Sequence, residues 1–103
     1  MSVYSSISKL HSTPIDNLTD AEDFLKNFSP KEQKQLMTVF MLGTRLVSYD
    51  TLREDILMTT GILDTYKADE YARLLYEKAL NKDMYLDNIT RCADASGFDL
   101  NQI

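Results

Sequence analysis

The chain has 103 residues, 44% hydrophobic and 26% charged, a composition that suits one globular core and excludes the apolar-poor balance of a disordered chain. Its 16 acidic and 11 basic side chains leave a net charge of −5, a field that repels phosphate backbones and disfavours direct binding of DNA or RNA. No apolar run approaches the ~18 residues that crossing a membrane requires, and a lone cysteine, Cys92, forms no internal disulfide.

Taken from the start, residues 1–10 alternate serines with apolar residues and lack the charged start and apolar centre of a secretory signal, so a cytoplasmic location is the default. Val3, Ile7 and Leu10 fall at helical spacing, but the serines and the His11-Ser12-Thr13-Pro14 break predict only a short helix. Residues 1–18 are therefore expected as a loosely attached N-terminal segment of a single domain spanning 1–103. Thr19 three residues before Glu22 has the spacing of a capping box, with Ala21, Phe24, Leu25 and Phe28 as the apolar side of a two-turn helix over 20–27.

The strongest local signal is Ser29-Pro30-Lys31-Glu32, which joins a cap serine, a proline at the first helical position and a glutamate placed to reach back. Leu36, Met37, Phe40 and Met41 form one face of the helix that follows, and Val39 and Leu42 extend it around the other side. Such a helix is enclosed by neighbours rather than laid on the surface. Gly43 reads as its left-handed cap. Thr51 and Glu54 repeat the capping box, with Tyr49, Leu52, Ile56 and Leu63 on one side and a stop at Gly61.

A regular helix is predicted over about 65–80, with Ala68, Tyr71, Ala72, Leu75 and Ala79 as a narrow stripe and Asp69, Arg73 and Glu77 as successive i,i+4 pairs. Asp83 is placed to cap a final helix whose Tyr85, Leu86, Ile89, Cys92 and Ala93 face inward and which ends at Gly97. No strand-like alternation and no repeat interrupts this pattern. The architecture that follows is all-α, a compact bundle of about five helices.

Chemistry-bearing clusters are sparse. One histidine and one cysteine allow a single nucleophile–base pair, His11 with Cys92, but the first sits in a polar segment and the second on an apolar stripe. Too few Cys and His side chains are present for a zinc site, and no Asp-rich loop with a glycine turn suggests calcium. Adjacent carboxylates such as Glu54-Asp55 and Asp69-Glu70 point in different directions on a helix. The three glycines stand apart, so there is no phosphate-cradling loop. A helix-turn-helix about Gly43 is disfavoured because the element that would enter the groove carries Arg53 beside Glu54 and Asp55, two acids that repel phosphate. No catalytic residue, cofactor or metal is expected.

Phe28-Ser29-Pro30-Lys31-Glu32-Gln33, continuing through Leu36 to Phe40-Met41-Leu42-Gly43, resembles an uncharacterised family of short bacterial all-helical domains with a Glu-Gln helix start and a Leu-Gly-Arg-Gly-Asp helix end. Tyr49-Asp50-Thr51-Leu52-Arg53-Glu54, Glu70-Tyr71-Ala72 and Tyr85-Leu86 are similar to later helices of that family, so the likeness covers about residues 28–90. Thr44-Arg45-Leu46 stand where the family has Arg-Gly-Asp. The resemblance implies a helical fold and carries no activity.

Two surfaces remain as candidates. Tyr66, Tyr76 and Leu80 are left over from the apolar stripes, and Tyr76 and Leu80 share a side with Arg73, an aromatic-plus-arginine composition enriched at interaction hot spots. The plain alternative is that another helix of the domain covers them. The acidic set Asp16, Asp20, Glu22 and Asp23, or Asp50, Glu54 and Asp55, fits instead an inhibitor or nucleic-acid mimic, as encoded by phages and mobile elements, docking on a basic groove. The leading expectation is a non-catalytic interaction module that binds a protein partner or forms a homodimer, with no direct contact to nucleic acid or membrane.

Overall fold

Apolar side chains repeating every three to four residues leave water only when the helices carrying them pack stripe against stripe. The structure, a computed structural model, describes residues 2–47, 51, 60–63 and 66–103. These form α1 (Val3–Ser12), α2 (Leu18–Leu25), α3 (Pro30–Gly43), α4 (Tyr71–Glu77) and α5 (Lys82–Ala95). Short 3-10 turns lie at Thr60–Leu63, Ala68–Glu70, Ala79–Asn81 and Leu100–Gln102. Among the described residues there is no strand, and the radius of gyration, 12.6 Å, matches the ~13 Å of a compact chain of this size. This is the all-α bundle expected.

At the centre is α3. The Ser29 N–H donates to Glu32 Oε1 at 2.9 Å, and the Glu32 N–H donates to Ser29 Oγ at 3.2 Å, so the anticipated capping box closes with Pro30 in the first turn. The bonds from Ser29 hold the Glu32 carboxyl below its ordinary value. Every residue of 36–43 is buried, including Thr38, whose hydroxyl donates to the Lys34 carbonyl at 2.7 Å. The helix packs most extensively on α5 and also meets α1, α4 and the turn at Thr60–Leu63.

The expectation for Gly43 is corrected. It is the last helical residue, and the chain leaves through Thr44 in right-handed conformation (φ −66°, ψ −20°). The residue must be glycine because α5 crosses there: a Cβ would collide with the Tyr85 carbonyl, lying only 2.8 Å from its carbon. Asn88, buried, donates Nδ2 to the Gly43 carbonyl at 3.5 Å, and Phe40 meets Tyr85 edge to face at 5.8 Å between centroids. Gly97 does act as a left-handed stop (φ 67°). The Phe98 N–H returns to the Ala93 carbonyl at 2.8 Å and the Gly97 N–H to that of Asp94 at 3.1 Å, the paired bonds of a Schellman end.

Three other expectations change. First, α1 is ten residues long and buries Val3, Ser6, Ile7 and Leu10. Its Val3 N–H donates to Asn101 Oδ1 at 2.8 Å, and the Leu100 N–H donates to the Tyr4 hydroxyl at 3.0 Å. The opening residues are thus fastened to the core and not loosely attached. Second, α2 starts at Leu18, capped by Asn17, whose Oδ1 accepts from the Asp20 N–H at 2.8 Å; Thr19 lies within the helix. Third, Asp83 lies one residue inside α5, whose first residue is Lys82, so its carboxylate is not the cap. The helix expected over 51–61 falls almost wholly outside the described residues, of which Gly61 lies in a 3-10 turn.

Gly43→Ala should therefore destabilise the protein by roughly 3 kcal/mol, since the collision with Tyr85 backbone outweighs the helix propensity that alanine gains. Chemical denaturation followed by circular dichroism measures it, and a variant as stable as the parent would refute the close approach. Ser29→Ala should lower stability by about 1 kcal/mol in the same assay, the usual loss for removing a cap side chain.

Candidate functional site

The interest centres on the passage from α4 into α5. A single helix over about 65–80 was expected, but α4 is shorter. The chain turns first through Ala68–Glu70, where the Lys67 N–H donates to Glu70 Oε1 at 3.1 Å, and α helix begins only at Tyr71. Tyr71, Ala72 and Leu75 form the buried stripe, whereas Ala68 is exposed. Lys78, at φ −110° and ψ 6°, ends the helix, and the tighter turn Ala79–Asn81 leads into α5. Arg73 Nε donates to Glu77 Oε1 at 2.9 Å on the exposed side. Asp69 lies in the 3-10 turn that precedes α4, and the ion pairs among the described residues do not include one between it and Arg73.

Breaking the helix at Lys78 turns Leu80 outward. It is 95% exposed, the most exposed of the large apolar side chains among the described residues, and Tyr76 is 44% exposed. Both border a groove of about 560 Å³ whose other lining residues are Pro14, Ile15, Asp16, Glu77, Ala79 and Lys82. Of the four residues singled out from sequence, the structure brings Tyr76 and Leu80 together and holds Arg73 beside them through Glu77. Tyr66 is half-buried against the core, away from the groove lining. Pro14, Ile15 and Lys82 carried no signal in the sequence, since the tertiary fold alone brings 14–16 against the end of α4.

The acidic candidates divide. Asp16 lines this groove, and its N–H is bound by the Asp20 carboxylate at 3.0 Å. Asp20 and Asp23 line a second groove, of about 870 Å³, between α1 and α2, together with Ser5, Ser8, Lys9, Phe24 and Phe28. There Lys9 Nζ lies 5.8 Å from the Phe28 ring centroid and Asp23 faces Lys26 at 3.6 Å. Glu22 is exposed. These four acids therefore do not form one uninterrupted carboxylate face. Asp50, Glu54 and Asp55 lie outside the described residues.

A polar cluster that local sequence did not reveal joins the end of α1 to the start of α5. His11 Nδ1 lies 2.8 Å from Asp83 Oδ1, and its Nε2 lies 3.4 Å from Asp87 Oδ1. Lys82, buried to 8% exposure, donates Nζ to Asp83 Oδ1 at 3.1 Å and to the His11 carbonyl at 3.3 Å. A cation on the carbonyl end of α1 and carboxylates in the first turns of α5 both complement the helix dipoles. The hydrogen bonds from Lys82, then from His11, hold the Asp83 carboxyl below its ordinary value. His11 thus engages two carboxylates, while Cys92 is fully buried in the core. Ser12, next to His11 in the chain, donates its hydroxyl to the Ser8 carbonyl. The cluster clamps two helices. Among the described residues no three of His, Cys, Asp and Glu are grouped as a metal site would require, and no helix is long and apolar enough to cross a membrane.

Compared with protein families, with characterised proteins and with solved structures, the chain matches none. Function must be argued from these side chains.

Because the Asp83 carboxyl is held below its ordinary value in the folded state, its contribution to stability is present above about pH 4 and is lost as the pH falls through the lowered folded value. Its side chain is 64% exposed, so screening limits the effect. Asp83→Asn should lower the melting temperature at pH 7 by about 3 °C, corresponding to roughly 0.5 kcal/mol. As the pH falls through that lowered value the melting temperatures of parent and variant should converge. A difference that stays constant through that range would show that the charge is not responsible.

Proposed function

We propose that this chain is a non-catalytic protein-interaction module that engages its partner through the groove bordered by Tyr76 and Leu80. The observation carrying this reading is the placement of Leu80. A leucine 95% exposed is unremarkable when isolated, but this one adjoins a half-exposed tyrosine and a recess walled by Pro14, Ile15 and Ala79. Exposed aromatic and aliphatic side chains around a recess, with an arginine alongside, have the composition of an interaction hot spot. The site is also well supported. Ala72 and Leu75 anchor α4 in the core, and the Lys82–Asp83–His11 clamp fixes the start of α5, so the groove needs little ordering before contact.

Tyr76→Ser combined with Leu80→Ser tests the reading. Both side chains project into solvent, so far-UV circular dichroism and melting temperature should stay near the parent's. Affinity for a partner captured by the parent should fall at least tenfold, a loss of about 1.4 kcal/mol or more. Undiminished capture by a folded double variant would place the interaction elsewhere.

A further inference from the structure

We propose that His11, Asp83 and Asp87 form a proton-operated latch between the end of α1 and the start of α5, closed when both ring nitrogens of His11 carry protons and loosened when one is lost. Donors and acceptors decide the matter. An ionised carboxylate only accepts, and a neutral imidazole donates from one nitrogen while the other presents a lone pair. His11 sets Nδ1 2.8 Å from Asp83 Oδ1 and Nε2 3.4 Å from Asp87 Oδ1, so the ring meets an acceptor at each end. Only the doubly protonated imidazolium offers a proton to both.

Lys82 does not substitute for the ring. Its ammonium bonds Asp83 Oδ1 at 3.1 Å and the His11 carbonyl at 3.3 Å, which leaves the imidazole as the group that meets Asp87. On α1 itself, Lys9 lies over Phe28, 5.8 Å from the ring centroid. With the imidazole charged, two cations face two carboxylates; with it neutral, the four groups carry one net negative charge in a chain already at −5. The lower edge of the working range is set by Asp83, whose carboxyl is held below its ordinary value, so its pairing is lost only as the pH falls through that lowered value. The upper edge is set by the imidazole, a group that loses its charge between about pH 5 and 8. Inside that window the latch contributes stability, and the contribution is lost as the pH rises. What it holds is the exit from α1. Thr13 and Pro14 line the larger recess, and Pro14, Ile15 and Asp16 line the smaller, so the proton on His11 sets how firmly a wall shared by both is held.

His11 is the only histidine of the chain, so His11→Gln, which keeps a side-chain donor but no titrating ring, isolates its effect. The side chains of His11, Asp83 and Asp87 are 31%, 64% and 70% exposed, so substitutions there leave the core intact. At constant ionic strength the parent should melt about 3 °C above His11→Gln near pH 5.5, and the gap should close by about pH 8.5. In a background carrying both Asp83→Asn and Asp87→Asn the gap should not change with pH, because no carboxylate is left to distinguish the two states of the ring. The NMR Cα shifts of Leu10 and Ser12, which report helicity at the end of α1, should move toward coil values over the same pH range in the parent and stay fixed in His11→Gln. A gap of equal size at both pH values, or one that widens as the pH rises, overturns the proposal. So does a pH dependence that persists once both carboxylates are amides, or an end of α1 whose Cα shifts are indifferent to pH.

Discussion

The crossing of α3 and α5 is a contact that a single extra carbon would abolish. Where α3 ends, the Gly43 backbone lies against the Tyr85 carbonyl, and α5 can approach only because no side chain stands between them. Around that point Asn88 reaches the Gly43 carbonyl, and Phe40 meets the Tyr85 ring by its edge. An interior packed this tightly transmits small displacements rather than absorbing them. The position of α5 is thereby set at its first third, and the side chains at its start inherit that position.

From there the dependence runs outward. Lys82, Asp83 and Asp87 are held where His11 and the carbonyl end of α1 can meet them, so the opening helix is fixed to the last one by charge as well as by Val3, Ile7 and Leu10. The turn Ala79–Asn81 joins α4 to the same end of α5, and 14–16 follow directly from the end of α1. The groove is thus bounded by segments tethered to one helix start. One of its lining residues, Lys82, is itself part of the bracing, through its bonds to the His11 carbonyl and Asp83.

Much of the fold was readable because the relevant forces are local. The Ser29 box needs only residues 29–32, and the Gly97 end needs only the last turn of α5. The enclosed face of α3 was visible because apolar side chains occur all around it. Failures came where local chemistry offered equivalent choices or where partners were remote. Asn17, Thr19 and Asp20 are all good caps, and nothing within the segment selects Asn17. Gly43 after an apolar run looks the same whether it turns the chain or admits a neighbour, and only the crossing of α5 distinguishes the two. The partners of His11 lie 72 residues or more away, so its segment looked loose when read alone. At the candidate site, Tyr76 and Leu80 stood out because they fit no buried stripe, while Pro14 and Ile15 became part of it through tertiary packing.

The hydrogen bonds that join the two ends of the fold have a kinetic consequence. Asn101 supplies the acceptor for a first-turn amide of α1, and the Tyr4 hydroxyl accepts from the Leu100 amide. Gln35 Nε2, on α3, meanwhile donates to the carbonyls of Asn101 and Ile103 at 3.2 Å. Peeling away either end strips the other of a partner, so fraying does not proceed independently at the two. Solvent gains access to both through one shared opening, and the first and last turns behave as a single cooperative unit although nearly the whole chain lies between them.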